Sequence, residues 1–156
     1  MSIDENGLST PAEVEALADQ LSACADQLHL RIKDEAAAIA AMPDGSAARA
    51  RRLEAAESLF EAEQILRQRA NGLYADGAAA IVAKLGKPQQ QLITLTRAAA
   101  EQIRKMTLLG DAAGLVAGLL ALAGGVASGH PAGIIAALDI IRVQLKAVKA
   151  DLPAKP

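Results

Sequence analysis

Aromatic side chains are almost missing from this 156-residue chain: one Phe and one Tyr, with no Trp, amount to 1% of it. A nucleic-acid surface that works by base stacking needs several such rings among its cations, so no nucleic-acid partner is expected. There is one cysteine, Cys24, which excludes an intramolecular disulfide and a cysteine-based metal site. The two histidines, His29 and His130, stand far apart, and neither has the Glu-x-x-His spacing of a helical metal site. Gly124-Gly125 lacks the Gly-Lys-Ser/Thr that would follow in a phosphate loop. Ser, His and Asp are too sparse to place a nucleophilic triad. Neither an enzyme nor a bound cofactor or metal is expected. The N-terminus, MSIDENGLSTP, has neither the basic start nor the apolar run of a secretory signal. A cytoplasmic protein, or one exported without a cleaved signal, fits it, and membrane association stays open.

Charge is also missing, and from one place. No Asp, Glu, Lys or Arg lies between Asp111 and Asp139, and this charge-free stretch (112–138) is interrupted near its end by Gly129-His130-Pro131. Two apolar helical runs meeting at a Gly-His-Pro corner read as a hydrophobic helical hairpin. Either the rest of the chain buries it or a membrane does.

The remainder is helix-forming. Hydrophobic residues make up 52% of the chain, and most are Ala, Leu, Ile and Val. Ala and Leu are among the strongest helix formers, and β-branched or aromatic residues dominate nowhere. The expected fold is all-α: an elongated antiparallel bundle of four or five helices in one domain over 10–150. A flexible lead (1–9) precedes it and a tail (151–156) follows.

Thr10-Pro11-Ala12-Glu13 predicts a helix start, with Thr10 as cap, Pro11 in the first position and Glu13 completing a capping box. The helix should reach about Met42 on a stripe of Val14, Leu17, Leu21, Cys24, Leu28, Ile32 and Ile39. Ala18-Asp19-Gln20-Leu21 recurs seven residues on as Ala25-Asp26-Gln27-Leu28, the spacing of a coiled-coil seam. After a Pro43–Ser46 turn, a second helix is expected over about 46–85. Three rows repeat there at seven: Leu59, Leu66 and Leu73; Leu53 and Phe60; Ala56, Glu63 and Ala70. Asn71-Gly72 and Asp76-Gly77 weaken it, but the apolar phase survives both, so a continuous or kinked helix is favoured, capped by Gly86.

The third helix should begin near Pro88 on a seam of Leu92, Leu95, Ala99, Ile103 and Met106. It either runs through Gly110-Asp111 to about Ala127 or gives way to a fresh helix capped by Asp111. Pro131 opens the last helix, to about Ala150, with Ile134, Leu138, Ile141 and Leu145 on one face and Arg142, Lys146 and Lys149 on the other. With short turns and two helices of about 40 residues, an up-down-up-down bundle follows. It would put the Gly129–Pro131 corner at the same end as the Pro43 turn, with Ala36–Met42 beside the hairpin.

Charge is unevenly spread within a net of −2. Residues 1–45 carry nine acids and two bases, and 46–110 carry six acids and ten bases. That asymmetry predicts pairing of the first two helices. Arg49, Arg51 and Arg52 form a basic cluster, read either as a salt-bridged face or as a contact for anionic lipid headgroups. Cys24, on the core stripe, reads as a buried structural thiol. His29 reads as a boundary residue and His130 as part of the turn, where a pH trigger is conceivable.

Ala113, Ala117, Ala121 and Gly125 are spaced by four, as are Gly114 and Gly118, a pattern that lets helix backbones approach closely. The residues expected to meet a membrane or a partner are Leu115, Val116, Leu119, Leu120, Leu122, Val126, Ile134, Ile135 and Leu138. Aspartate at Leu119 would then abolish liposome binding. In layout, over residues 10–150, the chain resembles the α-helical pore-forming toxins of the cytolysin A type and is similar to type III secretion translocators. Both join long coiled-coil-like helices to an apolar hairpin that is packed away in the soluble form and released at a membrane. The resemblance lies in architecture and assigns no residue.

Three expectations follow. The first is a non-enzymatic bundle, pore-forming or translocator-like, that interacts with membranes through 112–138. The second is a soluble interaction module: an oligomer subunit, an adaptor or a chaperone-like partner of another helical protein. The third is a small protein anchored by a single span at 112–128.

Overall fold

A computed structural model describes residues 10–76, 91–106 and 108–151. The expected N-terminal lead, the continuation of the second helix to Gly86, the third helix's start at Pro88 and the tail beyond Asp151 lie outside the described residues. Those residues form five α-helices and no strand: α1 (Pro11–Ala40), α2 (Ala47–Ala75), α3 (Leu92–Lys105), α4 (Ala113–Ser128) and α5 (Pro131–Asp151). A short 3-10 turn, Leu109–Ala112, precedes α4.

The first helix starts as its sequence dictates. Thr10 is extended, its hydroxyl accepts from the Glu13 N–H at 3.2 Å, and it donates to the Glu13 carboxylate at 3.0 Å. One hydroxyl thus ties down a free N–H and the acidic residue that favours the positive end of the helix dipole. Ser46 caps α2 in the same way, accepting from Arg49 N–H at 3.0 Å. α2 continues through Asn71-Gly72 as expected, but it ends at Ala75 with Asp76 as its cap, so the continuous helix favoured through Asp76-Gly77 is broken there.

α1 and α2 pair antiparallel, and the charge asymmetry appears as contacts between them. Arg52 holds Glu35 through two bonds of 2.6 and 2.8 Å. Arg67 reaches Asp26 at 2.8 Å, and the Tyr74 hydroxyl donates to Asp19. Two of the three seven-residue rows of α2 face inward: Leu59, Leu66 and Leu73, and Ala56, Glu63 and Ala70, are buried. The third, Leu53 and Phe60, looks outward at 39% and 47% exposure.

α3 runs parallel to α1. Cys24 Sγ donates to the Thr96 carbonyl at 3.3 Å, and seven residues further along α1 the Arg31 guanidinium binds the Met106 carbonyl. The chain then turns extended at Met106 and Leu108. A fresh helix follows, so α3 and α4 are two helices and not one of about 40 residues. Asp111 does not cap it: α4 starts from the 3-10 turn with no side-chain cap.

This break corrects the expected topology. α4 begins level with the middle of α2 and runs in the same direction, so that Arg69 binds the Leu120 carbonyl at 2.7 Å. Arg69 stands 22 residues beyond the start of α2, about 33 Å along it. The Gly129–Pro131 corner therefore lies at the end opposite the Pro43 turn. Ala36–Met42 is not beside the hairpin either. Ala36, Ala37, Ala38, Ala40 and Ala41 are exposed, and α4 packs mainly on α5 and α2. An insertion that freed α4 would thus take it from α2, not from α1.

At the corner Gly129 adopts φ 67°, the left-handed conformation that favours glycine. The His130 N–H reaches back to the Gly125 carbonyl at 3.0 Å, closing α4 before Pro131 opens α5. Ile134, Leu138, Ile141 and Leu145 are buried, as their spacing requires.

Candidate functional site: the apolar hairpin and its outward face

Seven of the nine residues expected to contact lipid or a partner are packed inside the bundle. Leu115, Leu119, Leu122, Val126 and Ile134 have 0% exposure, and Val116 and Leu138 have 1%. Leu120 and Ile135 are half-buried against the same core. Each fully buried Leu or Val contributes about 1.5–3 kcal/mol, so the hairpin holds much of the core.

Glycine sets how closely α4 meets α5. A Cβ on Gly118 would stand 2.9 Å from Ile141 Cγ1, and one on Gly125 3.2 Å from the Ile134 nitrogen. On Gly114 it would collide with the Gln144 side chain. Gly114, Gly118 and Gly125 thus form the stripe that lets the helices touch. The alanines of the expected small-residue series lie elsewhere: Ala113, Ala117 and Ala121 are exposed. They form the outward side of α4, and no charged residue stands among them. The outward side of α5 adds Ala136, Ile140 and Val143, the last two 42% and 62% exposed. Arg142 and Lys146 lie on the flank of that face, Arg142 paired with Asp139 at 2.6 Å.

Among the described residues, one cation is hydrogen-bonded to α4. The Arg69 guanidinium binds the Leu120 carbonyl at 2.7 Å and lies over Gly124. The Gly124-Gly125 pair costs the helix about 1 kcal/mol per glycine relative to alanine. Gly125 is needed for the close approach of α5, whereas a Cβ on Gly124 would make only ordinary contact with Arg69.

The basic cluster does not sit with the hairpin. Arg49 donates to the Ile39 carbonyl at 3.3 Å, Arg52 is held by Glu35, and Arg51 is exposed. All three stand at the Pro43 end, so the expected proximity of a headgroup contact to the hairpin corner is lost. Two of the three fit a face tied down by bonds within the chain. The Arg52 hydrogen bond, more than its charge alone, holds the Glu35 carboxyl below the usual carboxylate range.

Sequence reading placed Glu63 on a core row but did not find its partners. Its side chain is 1% exposed, 2.8 Å from Arg67 Nε and 3.1 Å from His29 Nδ1. Arg67 carries the contact on to Asp26. The signal was the Ala56-Glu63-Ala70 spacing; Arg67 stands one turn on along α2, and His29 comes from across the helix pair. His130 is exposed at the corner, with Nδ1 3.4 Å from the Ser128 carbonyl.

Cys24 is fully buried, and burial pushes its thiol from 9.0 up to about 12. The folded state therefore prefers the protonated thiol. Its contribution to stability is whole below the free-thiol value of 9.0 and is lost as pH rises toward 12. At pH 8 we expect maleimide to label Cys24 at least about 100-fold more slowly in the native protein than in denaturant; equal rates would mean an open core.

Among the described residues no group of three or more His, Cys, Asp and Glu is placed to hold a metal ion. A shallow groove of about 340 Å³ lies between α3 and α5, lined by Thr94, Arg97, Glu101, Gln102 and Leu145. It is separate from the hairpin's outward face. Comparison with protein-family models, curated proteins and solved structures finds no match.

Proposed function

We propose that this is a non-enzymatic helical bundle that engages membranes through the α4–α5 hairpin. The observation that carries this reading is the outward side of α4. In a soluble amphipathic helix that side bears charge; here it bears Ala113, Ala117 and Ala121. Leu109–Ser128 is 20 residues long and apolar enough to cross a bilayer, and only 56% of its most apolar stretch is buried. At 1.5 Å per residue, 20 residues match a hydrocarbon core of about 30 Å.

In water α2 and α5 cover Leu115, Val116, Leu119, Leu122 and Val126. At a bilayer, acyl chains take the place of α2, so lipid and α2 compete for one apolar surface. α5, with Arg142 and Lys146 beside its apolar side, is suited to the interface plane. A single span at 112–128 would strip the buried face of α5 of its main partner, so the hairpin and not α4 alone is the inserting unit. Several hairpins meeting along their small-residue faces would give an oligomeric pore, for which dye release is the assay.

The test is flotation of detergent-free protein with vesicles, with and without anionic lipid, at neutral and mildly acidic pH. The wild type should float. Ala117→Glu should keep its helical circular dichroism and lose at least about 90% of the floated fraction, because a charge at the bilayer centre costs about 2.5–3.5 kcal/mol. Wild type left at the bottom under every condition, or A117E floating equally, would sink the reading.

One observation favours a second reading. The outward residues of α4 are alanines and not leucines, which suits close helix packing better than lipid contact. The same face would then join a second copy or another helical protein. Light scattering without detergent would show a dimer or larger species, reduced to monomer by A117E.

A further inference from the structure

The polar contacts of this bundle are unevenly placed. α1, α2 and α3 are tied to one another by Arg52–Glu35, by the Asp26–Arg67–Glu63–His29 chain, by Tyr74–Asp19, by Cys24–Thr96 and by Arg31–Met106. Two hydrogen bonds among the described residues cross from that body to the hairpin: Arg69 to the Leu120 carbonyl, and Arg142 to Gln91. Arg142 is already paired with Asp139 on its own helix, and both its partners are exposed. The rest of the hairpin's attachment is apolar contact, which has no preferred direction. α4 and α5 meet each other more extensively than either meets α2 or α3. They join α3 through extended residues and an uncapped 3-10 turn, where a hinge distorts no helix.

We propose that α4–α5 opens from α1–α2–α3 as one body, and that Arg69 is the polar tie that adds to its apolar packing in resisting the opening. The proposal adds a regulating residue to the membrane reading and rests on it for its purpose, not for its test. Arg69 suits the role. It is exposed, so water competes for it, and it binds the backbone at the middle of α4. A neutral side chain at position 69 leaves the Leu120 carbonyl its ordinary helical partner, the Gly124 N–H, so α4 keeps its helix while losing its tie.

Hydrogen exchange of the full chain without lipid tests this, comparing wild type with Arg69→Ala and Arg69→Lys. For R69A we expect amides of 113–128 and 131–147 to exchange about tenfold faster, with 11–40 and 47–70 unchanged. R69K, which keeps a donor, should fall between. A uniform acceleration over all helices, or none in the hairpin, would overturn the proposal. A failure of the membrane reading looks different: R69A would open selectively and still not float with vesicles. Selective opening with stronger flotation supports both.

Discussion

Aspartate in place of Leu119 should leave no cooperatively folded bundle. Leu119 is fully buried at the centre of α4. Removing such a leucine costs about 2–5 kcal/mol by itself. An unpaired buried carboxylate adds several more, because no described cation faces the site to offset its lost hydration. Domains of this kind have about 5–15 kcal/mol in total. The expected result is a thermal melt by circular dichroism with no sharp transition. The same aspartate at Ala117, two residues earlier and on the outward side, should change stability by about 0.5 kcal/mol or little more. A wild-type melt for L119D beside a collapsed A117D would mean that α4 is rotated from the orientation described. The pair also settles how lipid binding is tested. Loss of binding in L119D would report unfolding, so the informative charge belongs at Ala117.

A leucine at Gly118 should push α4 and α5 apart. Its Cβ alone would stand 2.9 Å from Ile141 Cγ1, 3.1 Å from Ile140 Cγ2 and 3.4 Å from the Ile141 nitrogen. The last of these is backbone and cannot rotate away. Overpacking of this kind costs about 1–3 kcal/mol or more, and the roughly 1 kcal/mol that leaves with a mid-helix glycine does not cover it. Six residues on, Gly124→Ala meets only the Arg69 guanidinium at 3.5 Å, an ordinary contact. It should gain about 0.5–1 kcal/mol. Urea midpoints of the two variants should therefore move in opposite directions. A shift in the same direction would show that glycine here acts through helix propensity and not through the α4–α5 contact.

Much of the bundle was legible in the chain. Thr10-Pro11 set the start of α1, Pro131 the start of α5, and the Leu59-Leu66-Leu73 row the buried side of α2. These signals are local: a cap satisfies a free N–H nearby, and an amphipathic stripe shows which side water must not reach. The excess acid of the first segment and base of the second also gave the α1–α2 pairing, since opposite charges on facing helices find each other at short range.

The hairpin was legible as an object and not as a placement. A charge-free helix has no polar side, so its sequence cannot say which of its apolar residues look outward. Only the packing decided that Gly114, Gly118 and Gly125 touch α5 while Ala113, Ala117 and Ala121 face out. Whether the third helix ran on or gave way to a fresh one was left open by the sequence, and the structure takes the second course with no cap from Asp111. The apolar phase continues past Gly110-Asp111, while the chain is extended at Met106 and Leu108, where Arg31 of α1 binds the Met106 carbonyl. That break reversed α4 and carried the hairpin corner to the far end from Pro43. The sequence by itself determined that the chain is all-α and that 112–138 is the apolar element. The tertiary structure alone decided which helix covers that element and which face it leaves bare, because both depend on contacts between residues dozens of positions apart.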